Sequence, residues 1–177
     1  MWDELETSIK IYSKGATFFG EGEKESDIMV VFDHPTEKMN ETKQIKASNE
    51  YNVLKKILDF VNIDIDKCYL TFLVKYFSLN LIEESQRKEG LQYLLDEIYL
   101  VNPKYVICIG EDVFNFLYKY YTKNDTNKLV IDISKCIGKA YDFYGILLIP
   151  LYDMSKIKGL SNKQKKEMVE ILRRINK

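Results

Sequence analysis

The sequence predicts an α/β protein, a three-layer α/β/α sandwich around a mostly parallel central sheet. Three observations carry that reading. Segments such as Ile28 to Asp33, Cys68 to Val74 and Lys104 to Ile109 are apolar almost throughout, as strands covered on both faces must be. Between them run stretches with apolar residues at i, i+3, i+4 and i+7, the spacing of a helix with one buried side. Turn and cap residues separate the two kinds in alternation, which is the pattern of a parallel sheet flanked by helices. The chain has 177 residues, 46% hydrophobic and 30% charged. That is enough for one core, so a single domain over residues 1–177 is expected.

Taken in order, residues 2–12 form a short amphipathic helix with Leu5, Ile9 and Tyr12 on one side. Gly15, Gly20 and Gly22 mark an irregular approach to the first strand, Ile28 to Asp33. This Gly-Glu-Gly lies before the strand and not between strand and helix, so it is not a dinucleotide fingerprint. Thr36 to Ala47 has the composition of a loop. Ser48 or Asn49 caps a helix carrying Val53, Leu54, Ile57, Leu58 and Val61. The second strand, Cys68 to Val74, gives way to a loop at Tyr76 to Leu81. A long helix with Leu91, Leu94, Leu95 and Ile98 stops near Asn102, ahead of Pro103. The third strand ends at Gly110, and Glu111 and Asp112 open a helix whose buried side is Val113, Phe116, Leu117 and Tyr120. Lys123 to Lys128 reads as a polar turn. Two short strands follow, Leu129 to Ile133 and Gly145 to Ile149, the second closed by Pro150. Ser161 and Gln164 form a capping box for a last helix with Met168, Ile171, Leu172 and Ile175 inward.

Net charge is −1, so no overall field favours nucleic acid. The distribution is uneven, because residues 156–177 hold eight Lys and Arg against Glu167 and Glu170. Such an end suits phosphate, or is simply a solvated helix face. The three cysteines, Cys68, Cys108 and Cys136, are widely spaced with no CxxC, which reads as buried thiols. Neither a secretory leader nor an apolar run of spanning length is evident, so the expected compartment is the cytoplasm, with no membrane partner.

In an open α/β sheet ligands bind beyond the carboxyl ends of the strands. That directs attention to Asp33-His34-Pro35, which holds the only histidine, and to Asp153 after the last strand. Asp33 and Asp153 are candidates for paired carboxylates, and His34 for a base or donor; loop capping and solvation are the more ordinary roles for the two aspartates, and a structural role beside Asp33 the more ordinary one for the histidine. No metal-ligand constellation stands out.

The order of motifs resembles the uracil-DNA glycosylase superfamily, particularly the bacterial family-4 type and its phage polymerase-associated relatives. The resemblance covers about residues 15–175. It rests on Gly20-x-Gly22, the strand IMVV with its Asp33-x-Pro35 loop, the helix VLKKIL, and Thr71 to Lys75 (TFLVK). Asn102 to Gly110 (NPKYVICIG), Ile133 to Lys139 (ISKCIGK) and Ile149 to Asp153 (IPLYD) complete it.

The resemblance implies roles that this chain keeps only in part. Where the family has Gly-Glu-Ala-Pro-Gly after the first strand, its acid positioning water, the chain reads Phe32-Asp33-His34-Pro35-Thr36. The stacking aromatic expected near Ile45 or Lys46 is missing. The family's Thr-Asn-Val-Val-Lys offers asparagine to the uracil edge; here Phe72 stands in that place, either stacking on a base or filling the pocket. The late Pro-Thr-x-His-Pro becomes Pro150-Leu151-Tyr152-Asp153-Met154. An ionised Asp153 would repel charge developing on a departing anionic base. The iron–sulfur cysteines of family 4 are absent, so no cofactor is expected. Loop position and resemblance together make the expected pocket residues Asp33, His34, Asp153, Pro35 and Phe72, and the expected nucleic-acid contacts are Lys135, Gly138 and Lys139 with Lys156 and Lys158 of the basic end. The expectation is a catalytically degenerate glycosylase fold retained for DNA or for a replication or repair protein. An active glycosylase of altered base choice is the first alternative, and a flavodoxin-like nucleotide- or protein-binding domain the second.

Overall fold

The computed structural model describes residues 1–13, 16–123 and 132–176. Among them, six strands form one sheet: β1 (Glu21–Gly22), β2 (Ile28–Phe32), β3 (Tyr69–Phe72), β4 (Tyr105–Ile109), β5 (Tyr141–Phe143) and β6 (Ile146–Leu151). Their order is β1-β3-β2-β4-β6-β5. The inner four are parallel and both edge strands antiparallel. The helices are α1 (Trp2–Tyr12), α2 (Glu37–Thr42), α3 (Asn49–Phe60), α4 (Glu84–Val101), α5 (Glu111–Thr122) and α6 (Asn162–Ile175).

Every inner strand is covered on both faces, which is why its sequence does not alternate. Val30, Phe32, Leu70, Phe72, Ile107, Ile109, Ile149 and Leu151 face a core completed by α2, α3 and α6. Met29, Val31, Tyr69, Val106, Cys108 and Leu148 face a second core under α4 and α5. The sandwich with a mostly parallel sheet is therefore present as expected.

The topology locates a crevice. From β2 the chain moves to β3 through α2 and α3 on one face, whereas from β4 it moves the other way, to β6, through α5 on the opposite face. Crossovers of one hand must change faces when they change direction. The adjacent ends of β2 and β4 thus part company, and Phe32-Asp33 and Ile109-Gly110 border the gap between them.

Several local expectations change. Thr36 to Ala47 is not a loop: Thr36 Oγ1 accepts from Met39 N at 3.3 Å and starts α2, and a 3₁₀ turn occupies Ile45–Ala47. Only Met39 and Ile45 of this stretch reach the core, too few to show a helical period. Glu21–Gly22 is an edge strand on β3. Tyr141–Phe143, too short to show alternation, pairs with β6 through Tyr144-Gly145. The φ values there are 52° and 85°, both in the left-handed region that a two-residue hairpin requires. The expected strand Leu129 to Ile133 lies outside the described residues up to residue 131, and Ile133 begins a 3₁₀ turn. Pro150 lies inside β6 and does not close it. It is tolerated because β5 pairs only with Ile146 to Leu148, leaving that side of β6 open beyond. On α5 the buried residues are Val113, Phe114, Asn115 and Leu117, Phe116 packs half-buried against the same core, and Tyr120 is exposed.

Candidate functional site

Beyond the carboxyl ends of β2, β4 and β6 lies a cavity of about 220 Å³. Its floor is apolar, made by Phe32, Met39, Ile109 and Met154, and its walls carry Asp33, His34, Glu50 and Asp153, with Thr36 and Ser155. Each side chain arrives by a short local device. Asp33 and His34 leave β2, and the pairing continues one step further, since Val74 N donates to Asp33 O at 2.8 Å. Glu50 stands in the first turn of α3, whose cap Ser48 accepts from Tyr51 N. Asp153 follows β6 and caps the 3₁₀ turn Met154–Gly159, its Oδ1 accepting from Ser155 N at 2.8 Å and Ser155 Oγ at 2.5 Å.

Asp33 is the most constrained of these. Arg87 Nε donates to its Oδ1 at 2.8 Å and Arg87 Nη2 to its Oδ2 at 2.7 Å, a bidentate fork. The pair is mostly buried, 14% exposed at Arg87 and 18% at Asp33. His34 Nδ1 lies 2.9 Å from Asp33 Oδ2; a carboxylate only accepts, so Nδ1 carries the proton. Arg87 is held in turn by Asp112 Oδ2 at 2.9 Å and by Ile82 O at 2.9 Å. Burial by itself pushes the Asp33 carboxyl up, but the hydrogen bonds and charge of Arg87, with those of His34, hold it below its ordinary value. Asp33 is therefore a fixed, weakly basic anion.

The other expected residues are distributed as follows. Asp33, His34 and Asp153 line the same cavity. Pro35, between two lining residues, is buried and does not line it. Phe72 is fully buried in the core, between Phe18 at 5.9 Å and Phe32 at 5.8 Å, and also does not line it. Lys135, Lys139, Lys156 and Lys158 are exposed outside the cavity. Gly138, at φ 83°, brings its loop against α6 at Glu167. Lys156 follows Ser155 directly, so the basic turn adjoins the acidic walls.

Arg87 and Glu50 went unanticipated. Arg87 had one signal: a cation in the first turns of a helix opposes the dipole and needs an acidic partner. Glu50 had none, because an acid there is ordinary.

The three cysteines are buried and free, Cys68 in one core and Cys108 and Cys136 in the other. Burial pushes the Cys68 thiol up to about 12 and raises that of Cys108 as well. No group of three His, Cys, Asp or Glu suited to a metal occurs among the described residues. A larger cavity of about 610 Å³, lined by Ile98, Tyr99, Tyr120, Phe143, Tyr144 and Ile146, lies toward the amino end of β6, away from this chemistry. No helix among the described residues is long and apolar enough to cross a membrane.

Over 135 residues the chain is 29% identical to a protein of Bacillus phage SP01 named DNA polymerase, a match covering 75% of this chain and 14% of that protein. Residues 19–176 match the family described as Uracil DNA glycosylase superfamily, an interval that takes in the whole sheet and every wall of the crevice. On that match the chain belongs to the uracil-DNA glycosylase superfamily.

Proposed function

We propose that the chain is a cytoplasmic DNA-binding domain of glycosylase fold that does not excise uracil and serves DNA replication or repair. The observation that carries this reading is the Arg87 fork on Asp33. Activating a water needs a carboxylate that is free and basic, and Asp33 is neither. Asp153 adds to the difficulty, since a second carboxylate on the cavity wall opposes the negative charge of a departing uracil. Exposed Lys135, Lys139, Lys156 and Lys158 suit phosphate contact. Similarity to a protein named DNA polymerase supports a place in replication, as part of a larger assembly or beside one.

Uracil-containing single and double strands, incubated with the protein and probed for abasic sites, should show no cleavage. Uracil release that disappears on Asp33→Asn would overturn the proposal. A second reading, an active glycosylase of altered base choice, is favoured by one observation. The cavity is open and Phe72 does not fill it.

A further inference from the structure

We infer that the cavity accepts a positively charged, N-alkylated nucleobase of DNA, of the N7-methylguanine class, and releases it. This rests on the second reading, an active glycosylase of altered base choice. The site is the cavity at the crevice between β2 and β4, and its volume of about 220 Å³ lies below the ~300–1,000 Å³ that drug-sized ligands occupy. One heterocycle, with an apolar floor of Phe32, Met39, Ile109 and Met154 against its faces, is the matching size.

Charge then selects the class. The walls carry Asp33, Glu50 and Asp153, and among the described residues no Lys or Arg lines the cavity. Behind them stand Arg87 and Asp112, so four carboxylates face one guanidinium and His34. Asp153 commits Oδ1 to Ser155, and among the described residues Oδ2 has no hydrogen-bond donor. A neutral base that must leave as an anion is repelled here. A cationic base is attracted, and it reverses the leaving-group problem. When its bond to C1′ breaks, the electron pair neutralises the ring nitrogen, so the base departs uncharged and needs no acid. The sugar is left with cationic character that the same carboxylates stabilise. Water then forms the new bond at C1′ and gives its proton to Asp153. The features that disable uracil excision, an immobilised Asp33 and an acid at 153, are those that serve this substrate.

The test uses the full chain and oligonucleotides bearing a single N7-methylguanine, guanine or uracil, with free base measured against spontaneous depurination. Release of N7-methylguanine alone is expected. Asp153→Asn, which keeps a capping side chain, and Glu50→Gln, in an accessible helix turn, should each slow release on the order of tenfold or more. Two variants on separate elements protect the result from a folding defect in either. Release no faster than the spontaneous rate, with DNA binding intact, overturns this inference and leaves the DNA-binding proposal standing. Uracil release overturns that proposal instead. Equal rates for wild type and both folded variants overturn the role of the acidic walls.

Discussion

Asp33 and Arg87 are 54 positions apart in the chain and meet as a two-pronged ion pair at the mouth of the sheet. A carboxylate held this way has a folded-state pKa below its ordinary value of 3.8, so the native state binds fewer protons than the unfolded chain in the acid range. The sign follows from linkage: the stabilisation is complete above the unfolded value and is lost as pH falls through the folded one. Urea unfolding at pH 7 and pH 3 should therefore show a smaller loss of stability between the two for Asp33→Asn than for wild type. An identical loss would mean that the pair is not closed in solution. Arg87→Ala leaves a mostly buried carboxylate without its partner and should cost about 3 kcal/mol. Arg87→Lys should recover only part of this, because an ammonium cannot present two parallel donors.

The element that makes this pair possible is α4. Its seating is unusually close: a Cβ at Gly90 would lie 2.1 Å from Leu73 O, so the helix backbone rests almost on the end of β3. Two turns further, Glu97 is buried on the same helix and takes hydrogen bonds from Tyr69 Oη at 3.2 Å and Thr71 Oγ1 at 2.8 Å. Lys75, fully buried, pairs with the same carboxylate and donates to Thr71 Oγ1 at 2.7 Å. Burial draws the Lys75 ammonium down, while Glu97 opposes that shift. Such a pair fixes register more than it adds stability, and removing one partner strands the other. Lys75→Met should cost about 3–5 kcal/mol, and adding Glu97→Gln should return most of it. Chemical denaturation of the two singles and the double checks this; additive costs would refute the coupling. Gly90→Ala should cost about 1–3 kcal/mol by lifting α4 off the strand.

At the scale of the molecule the surface divides by sign around one opening. The cavity is acidic, while the turn that begins at Asp153 continues into exposed Lys156 and Lys158. Farther along, Lys163 and Lys166 on α6 spend part of their charge on Glu167 and Glu170, at 4.0 and 3.8 Å. If the exposed turn meets the DNA backbone, affinity must fall steeply with salt, because bound phosphates release counterions. Replacing Lys156 and Lys158 by Ala should weaken binding to any sequence and flatten the slope of log affinity against log salt by roughly 0.9 for each phosphate no longer neutralised. Anisotropy titrations at several salt concentrations measure both. An unchanged slope would move the DNA surface elsewhere.

The sequence by itself determined the layers and picked out three residues that share one cavity. Uninterrupted apolar strands and one-sided helices are properties of short windows, so IMVVF, YVICI and the α6 pattern of Met168, Ile171, Leu172 and Ile175 were readable locally. Their place beyond the carboxyl ends of the strands likewise singled out Asp33, His34 and Asp153, which line one cavity. Short elements escaped because three to six residues do not establish a period, as with α2 and β5. Tertiary structure alone decided what Asp33 is able to do. The direction of its carboxylate depends on Arg87, and Arg87 reaches it only because Gly90 and the buried Lys75–Glu97 pair seat α4 against β3. Ion pairs made across long stretches of chain leave little trace in local composition, since their energy arises from burial and geometry that exist only once the layers have packed.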